Sequence, residues 1–293
     1  MGVFTAAAVQ MRAGTDPARN IEALRSGVVE AAGQGARYVQ TPEMTGALQR
    51  DRTALFAMLK AEADDPVVAA ASALAQEHGI HLHIGSTPIA VENGRIANRA
   101  LLFGPDGSLL ARYDKMHMFD VDLDGGESWR ESSVYQPGAD VVIADTDLAA
   151  IGIAICYDIR FPELFRRQAV AGAQVLTAPS AFTRQTGEAH WHVLQRARAI
   201  ENGAFVIAAA QGGKHEDGRE TYGHSLIVDP WGRILAEADH DEPAVIVAEI
   251  DTEAVAGVRG RVPNLANARP LGHVRRHPDG LQTVDDAAGG AAS

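Results

Sequence analysis

Ile151-Gly152-Ile153-Ala154-Ile155-Cys156-Tyr157-Asp158-Ile159-Arg160-Phe161-Pro162-Glu163 carries the decisive pattern of this chain. Its first five residues form a strand apolar enough to be central in a sheet. Polar Tyr157, Asp158 and Arg160 follow, and Pro162-Glu163 is a favourable start for a helix. A strand running straight into a helix places Cys156 on the elbow between them. A thiol there is held rigidly near helix N–H groups, which favour thiolate and predict a lowered pKa. Taken alone, a single buried cysteine reads equally well as a small core hydrophobe.

Working outward, the same alternation recurs. Towards the N-terminus lie a strand at 141–143, an irregular acidic and Gly-rich loop at 114–137, and a hairpin at 100–113 that turns at Gly104-Pro105-Asp106-Gly107. Before them come a strand at 81–84, a helix at 66–78, and a short strand from Arg37 to Thr41 that ends in Pro42-Glu43. The opening strand leads to a helix capped by Thr15 and Asp16, with Ile21, Leu24 and Val28 at helical spacing. Towards the C-terminus the order is helix 162–171, strand 175–177, helix 187–202, strand 205–209, a hairpin at 224–236 and a strand at 244–250. Gly35-Ala36 and Gly172-Ala173 each start a strand that ends in proline after a helix, which hints at two α-β-β halves. The pattern predicts a single α/β domain over 1–275 and a disordered tail at 276–293, rich in Ala, Gly and Asp.

The 293 residues carry a formal net charge of −12 and no long basic run, which argues against nucleic acid as partner. No apolar run approaches the roughly 20 residues that span a bilayer. The first residues lack a signal-peptide pattern, and Ala6 breaks the myristoylation motif that Gly2 would begin. With one cysteine no intrachain disulfide forms, so a cytoplasmic location is expected.

Two further residues could serve Cys156. Glu43 ends an apolar strand, where a raised pKa would suit a general base, although an isolated loop glutamate is usually solvated. Lys115, followed by Met116, Met118 and Phe119, reads as partly buried or as snorkelling. Asp120, Asp122, Asp124, Gly125 and Glu131 match a calcium-loop pattern literally, but a strand precedes the loop where a helix is needed. A calcium-binding module at 120–131 is therefore the minor, non-enzymatic alternative. The eleven histidines show no metal signature, with His190 and His192 on different sides of a helix. Nucleotide-binding glycine motifs and the Gly-x-Ser-x-Gly elbow are missing.

Taken together these segments resemble the nitrilase, or carbon–nitrogen hydrolase, superfamily. Thr41-Pro42-Glu43 looks like its glutamate motif, Tyr113-Asp114-Lys115-Met116-His117 its lysine motif, and Cys156-Tyr157-Asp158-Ile159-Arg160-Phe161 its cysteine motif. Glu131, in Trp129-Arg130-Glu131-Ser132, stands where the family carries a second glutamate. Ala208-Ala209-Ala210-Gln211 and Tyr222-Gly223-His224-Ser225 are similar to the deaminated glutathione amidase branch more than to the omega-amidases. Asn264-Leu265-Ala266-Asn267 departs from the more apolar pattern expected after Pro263, where related chains pack as dimers.

The resemblance implies a four-layer α-β-β-α sandwich, a homodimer or higher homo-oligomer, and no metal or organic cofactor. It implies a linear-amide hydrolase in which Glu43 takes the Cys156 proton and the thiolate attacks the carbonyl. Lys115 and the Tyr157 backbone N–H would hold the oxyanion; ammonia leaves, and water cleaves the thioester. Glu131 would orient Lys115 or the amide. The expected substrate is a small carboxylated amide, with deaminated glutathione ahead of ω-amides, N-carbamoyl amino acids and carbamoylputrescine. Arg160 would pair with the carboxylate or, alternatively, with Glu163, and Phe182 and Thr183 would line the pocket.

Overall fold

The computed structural model describes residues 2–276 and 282–284. Strand β1 (Val3–Gln10) leads into α1 (Pro17–Gly33), then β2 (Tyr38–Gln40), α2 (Arg52–Met58), α3 (Pro66–His78), β3 (His81–Ala90), β4 (Ile96–Phe103) and β5 (Leu109–Asp114). A small hairpin, β6 (Asp120–Asp122) and β7 (Ser128–Arg130), precedes β8 (Val142–Asp145) and β9 (Ala150–Ile153). After a 3₁₀ turn at Cys156–Arg160 come α4 (Pro162–Val170), β10 (Val175–Thr177), α5 (Arg184–Asn202) and β11 (Phe205–Ala208). Hairpin β12 (Gly212–Lys214) and β13 (Glu220–Tyr222), then β14 (Leu226–Val228), β15 (Ile234–Glu237), β16 (Ala244–Asp251) and α6 (Thr252–Arg261) follow. Strands β17 (Val274–Arg276) and β18 (Gln282–Val284) pair antiparallel, and the remainder of the tail expected to be disordered lies outside the described residues.

Two six-stranded sheets result, ordered β16-β1-β2-β3-β4-β5 and β8-β9-β10-β11-β14-β15. Laid side by side, the two orders have the same grammar. In each, the first strand is antiparallel to the second, the next two pairings are parallel, and the last two are antiparallel. Each parallel step is bridged by chain carrying a helix: α1, and α2 with α3, in the first half; α4 and α5 in the second. The repetition hinted at by the Gly-Ala echoes is thus a repetition of topology across the whole chain.

The period of two along each strand sorts side chains between layers. Ala6 and Ala8 of β1 point into the seam between the sheets with Ile151, Ile153 and Val175. Ala7 and Val9 point the other way, against Leu24 and Val28 of α1, with Leu74 of α3 in the same cluster. Phe165 of α4 and Trp191 of α5 cover the outer face of the second sheet. The layer order is α-β-β-α. Asp16 and Asp65 cap α1 and α3 with their carboxylates, and a proline fills the first turn of each.

Candidate active site

The functional segments all leave the sheets at one edge of the seam. Glu43 lies just beyond β2, Lys115 directly after β5, Cys156 just beyond β9, and Glu131 directly after the β6–β7 hairpin. Cys156 holds a φ of 48°, a left-handed conformation costly for any residue with a Cβ, and Met44 beside Glu43 has a φ of 58°. Strained elbows of this kind persist where surrounding bonds over-determine them. Here Cys156 N–H donates to Pro179 O at 2.9 Å, and Met44 N–H to Ser86 Oγ at 2.9 Å. Asp158 ties the cysteine elbow together: its buried carboxylate accepts from Ile155 N–H at 2.9 Å, Tyr113 O–H at 2.7 Å and His117 N–H at 3.0 Å. Gly85 has no room for a side chain, because a Cβ there would strike the carbonyls of Thr41 and Pro42 behind Glu43.

The four residues expected to work together meet. Lys115 Nζ, 2 % exposed, donates to Glu43 Oε1 at 2.8 Å and to Glu131 Oε2 at 2.9 Å. Glu43 Oε2 accepts from Ala181 N–H at 3.0 Å, and Glu131 Oε2 from Phe119 N–H at 2.7 Å. Asn98 in β4, not foreseen from the sequence, donates one amide group to both carboxylates, at 3.0 Å to Glu43 and 3.1 Å to Glu131. Both neighbours are acceptors, so the amide can point its nitrogen only this way. A polar residue inside the run Ile96-Ala97-Asn98-Arg99-Ala100-Leu101-Leu102 was the signal available for it.

The electrostatics reverse two expectations. Burial would raise the Glu43 pKa, but the Lys115 ammonium and the hydrogen bonds around the carboxylate outweigh it and hold the group below its ordinary value. The Cys156 thiol moves the other way: burial first and the adjacent Glu43 charge second push it well up, against a smaller opposing pull from Lys115. The elbow begins a 3₁₀ turn, and α4 starts only at Pro162, so the thiol does not sit on an α-helix N-terminus. Lys115 is buried yet raised, because two carboxylates surround it.

A cavity of about 400 Å³ opens above Cys156, within the size range of small-molecule sites. Its aromatic wall includes Phe119, Trp129, Tyr157 and Phe182, and its rim carries Arg50, Arg52, Arg160 and Arg219. Among the described residues the guanidinium of Arg160 has no carboxylate within ion-pair distance, so the alternative pairing with Glu163 is not made. It lies over the rings of Phe182 (5.4 Å) and Tyr157 (5.8 Å) and meets His190 Nδ1 at 3.3 Å. Arg50 and Arg219 bracket Trp129 at 5.1 and 5.3 Å, an arrangement that joins residues far apart in the chain. Phe182 is both pocket wall and core, edge-on to Trp191. Thr183 lines the pocket, and its hydroxyl caps α5.

The acidic loop is a hairpin in which Asp120, Asp122 and Glu131 are already engaged. Asp122 pairs with Arg130 at 2.8 Å, Asp120 takes Ser132, and Glu131 turns inward to Lys115. The helix–loop–helix frame that the calcium alternative needs is replaced by β6 and β7, and that alternative is set aside.

Comparison with known proteins agrees with this geometry. The family profile described as carbon-nitrogen hydrolase matches residues 5–260. A deaminated glutathione amidase from Yersinia enterocolitica is 38 % identical over 244 residues, covering 82 % of this chain and 85 % of that one. An omega-amidase from Danio rerio is 36 % identical over 263 residues, covering 90 % and 94 %. Among solved structures, the NitFhit protein of C. elegans superposes with a TM-score of 0.86 at 34 % identity, covering 92 % of this chain and 66 % of that one. By sequence, by fold and by the residues gathered at the seam, the chain belongs to the carbon–nitrogen hydrolase family.

Proposed function

We propose that this protein is a cysteine amidohydrolase acting on small carboxylated linear amides, with deaminated glutathione as its preferred substrate. The observation that carries the reading is the buried Glu43–Lys115–Glu131 cluster beside Cys156, on the floor of a cavity rimmed by arginines. A neutral thiol beside two carboxylates and one ammonium gives the cluster a net charge of minus one. Moving the Cys156 proton to Glu43 leaves that charge unchanged, whereas losing it to solvent would add a second buried negative charge. The raised thiol and lowered carboxyl make the transfer uphill in the free enzyme. The thiol is therefore the resting form, and the thiolate arises only as its proton passes to Glu43.

The carbonyl oxygen becomes an oxyanion between Lys115 Nζ and Tyr157 N–H, where donors matter most as charge develops. Glu43-H then protonates the departing nitrogen, and the C–N bond breaks to leave a Cys156 thioester. A primary ω-amide releases ammonia, while a γ-linked amide such as deaminated glutathione releases the amine of its linked portion. Water gives its proton to Glu43 and attacks the thioester, restoring the thiol. Glu131 keeps Lys115 aimed, and no cofactor is required.

Arg160, Arg50 and Arg52, none with a carboxylate partner among the described residues, favour an anionic substrate. Arg50 rests on Trp129 and Arg160 on Phe182 and Tyr157, two unpaired cations on different rings of the cavity wall, which supports a substrate with two carboxylates over the smaller ω-amides. A single domain over 1–275, a cytoplasmic location and a homodimer belong to the same reading. The dimer is supported by Val170, Val193 and Ile200 on α4 and α5, exposed by 66 %, 69 % and 52 %.

The test is a product screen by mass spectrometry over deaminated glutathione, α-ketoglutaramate, α-ketosuccinamate, carbamoylputrescine and N-carbamoyl amino acids. Ammonia detection alone would miss the first. The highest kcat/KM is expected for deaminated glutathione, and an acyl adduct on Cys156 should accumulate on rapid quenching. An adduct elsewhere, or a folded Cys156→Ala variant that retains turnover, overturns the mechanism; a higher kcat/KM for another substrate overturns the preference.

A further inference from the structure

A second cluster of chemistry-bearing side chains lies outside the cavity. His192 on α5, His224 between β13 and β14, and Glu237 at the end of β15 bring two imidazole nitrogens and a carboxylate oxygen within 4.8 Å of one another. His192 Nε2 stands 2.7 Å from Glu237 Oε1, and His224 Nδ1 stands 3.5 Å from the same oxygen. Their side chains are 32 %, 22 % and 25 % exposed, so the cluster is set into the surface with one side open.

The surroundings hold His224 in place while its ring keeps only one long polar contact. Its φ is 56°, a conformation a histidine adopts at a cost. Its carbonyl accepts from Trp191 Nε1 at 2.7 Å, and its N–H donates to His240 O at 3.1 Å. Tyr222 stacks on its ring at 4.2 Å and meets His192 edge-on. Despite this fixing, buried His224 Nδ1 meets only Glu237 Oε1, at a long 3.5 Å. A loosely held nitrogen facing a carboxylate and a second imidazole is half of a coordination sphere.

We propose that His192, His224 and Glu237 bind a divalent transition-metal ion of the zinc class. Two imidazoles and one carboxylate are the donors such ions take, while calcium and magnesium prefer all-oxygen shells. Ligand atoms roughly 2.0–2.1 Å from a tetrahedral ion stand about 3.3 Å apart. The His224–Glu237 separation already fits, His192 has to withdraw from Glu237 by about half an ångström, and the two imidazole nitrogens, within 4.8 Å of each other, have to settle at the same spacing of about 3.3 Å, giving up one hydrogen bond for metal bonds. The three ligands come from three separate elements, so the ion would staple α5 to β15 and to the segment after β13. Thr221 of β13 bridges to Thr183, and both line the cavity, so the staple would stiffen one cavity wall without touching the reacting groups.

The experiment uses the full chain carrying Cys156→Ser, so that thiolate–zinc binding cannot contribute. Calorimetric titration with Zn²⁺ and visible spectra with Co²⁺ are expected to show one saturable site and a rise in Tm on metal addition. His192→Gln, and His224→Asn, which tolerates positive φ, should each weaken binding at least about tenfold while melting near the parent temperature without metal. Failure to bind at millimolar Zn²⁺ overturns the proposal. So does stoichiometric binding that both variants retain, since the ion would then sit elsewhere. Should either variant melt early, Glu237→Gln, which preserves the His192 hydrogen bond, decides by the same tenfold criterion.

Discussion

Asn98→Ala removes a residue that touches neither nucleophile nor cavity, yet it should alter the pH profile of the reaction. The side-chain amide donates to buried Glu43 at 3.0 Å and to half-buried Glu131 at 3.1 Å. A hydrogen bond to a charged group contributes roughly 1.5–3 kcal/mol, so losing two removes about 3 kcal/mol at the low end. For Glu43 alone, about 1.5 kcal/mol corresponds to about one pKa unit. Glu43 is held below its ordinary value in the folded protein. Such a group contributes stability above its unfolded value, and the contribution is lost as pH falls through the folded one. Without Asn98 the native value rises towards ordinary, so the acid limb of kcat/KM should move up by about one pH unit. The stability gap from wild type should be full near neutral pH and shrink on acidification. Rate profiles between pH 4 and 8, with denaturant melts at three pH values, measure both. Superimposable acid limbs and a pH-independent stability gap would show that Asn98 acts through packing alone, and the positioning argument would fail.

Three further outcomes follow from the same geometry. Glu43→Gln should abolish hydrolysis and move the Cys156 thiol titration, followed by ultraviolet thiolate absorbance, to lower pH, because the charge that adds to burial in raising the thiol is gone; a titration that moves up would contradict the electrostatic assignment. Lys115→Met leaves two buried carboxylates without their cation, so a loss of about 3–5 kcal/mol in a denaturant melt is expected together with inactivity. Arg160→Ala should raise KM for carboxylated amides roughly 10- to 100-fold, with kcat and the hydrolysis of uncharged amides little changed; equal losses on both substrate types would make the residue structural.

Much of this was visible in the chain itself. Strand β9 and its elbow, α1, α3 and the β4–β5 hairpin declared themselves through periodicity, caps and turn residues. Glu43, Lys115, Glu131 and Cys156 were nameable because each ends or follows an element whose pattern is strong. Helices α2 and α6 escaped, the first because seven residues with one buried leucine carry little amphipathic signal, the second because Gly257 and Gly260 dilute it. Asn98 escaped because its role depends on two carboxylates from elsewhere in the chain, 55 and 33 residues away. The directions of the Glu43 and Cys156 shifts were misjudged for a related reason. An elbow and a strand end suggest local fields, but the ammonium 2.8 Å from Glu43 comes from another strand. His192, His224 and Glu237 gave no metal signature because no two of them are close in sequence.

The matched halves of the chain also bear on when the protein becomes reactive. Glu43, Lys115 and Glu131 precede β8, and Cys156 follows β9, so the base and the nucleophile belong to different repeats. During synthesis the first repeat emerges with a charged cluster and nothing to activate. A second repeat folding by itself would hold a thiol without its base. Hydrolytic power arises only at the docking of the two across the seam, so turnover reports that assembly is finished.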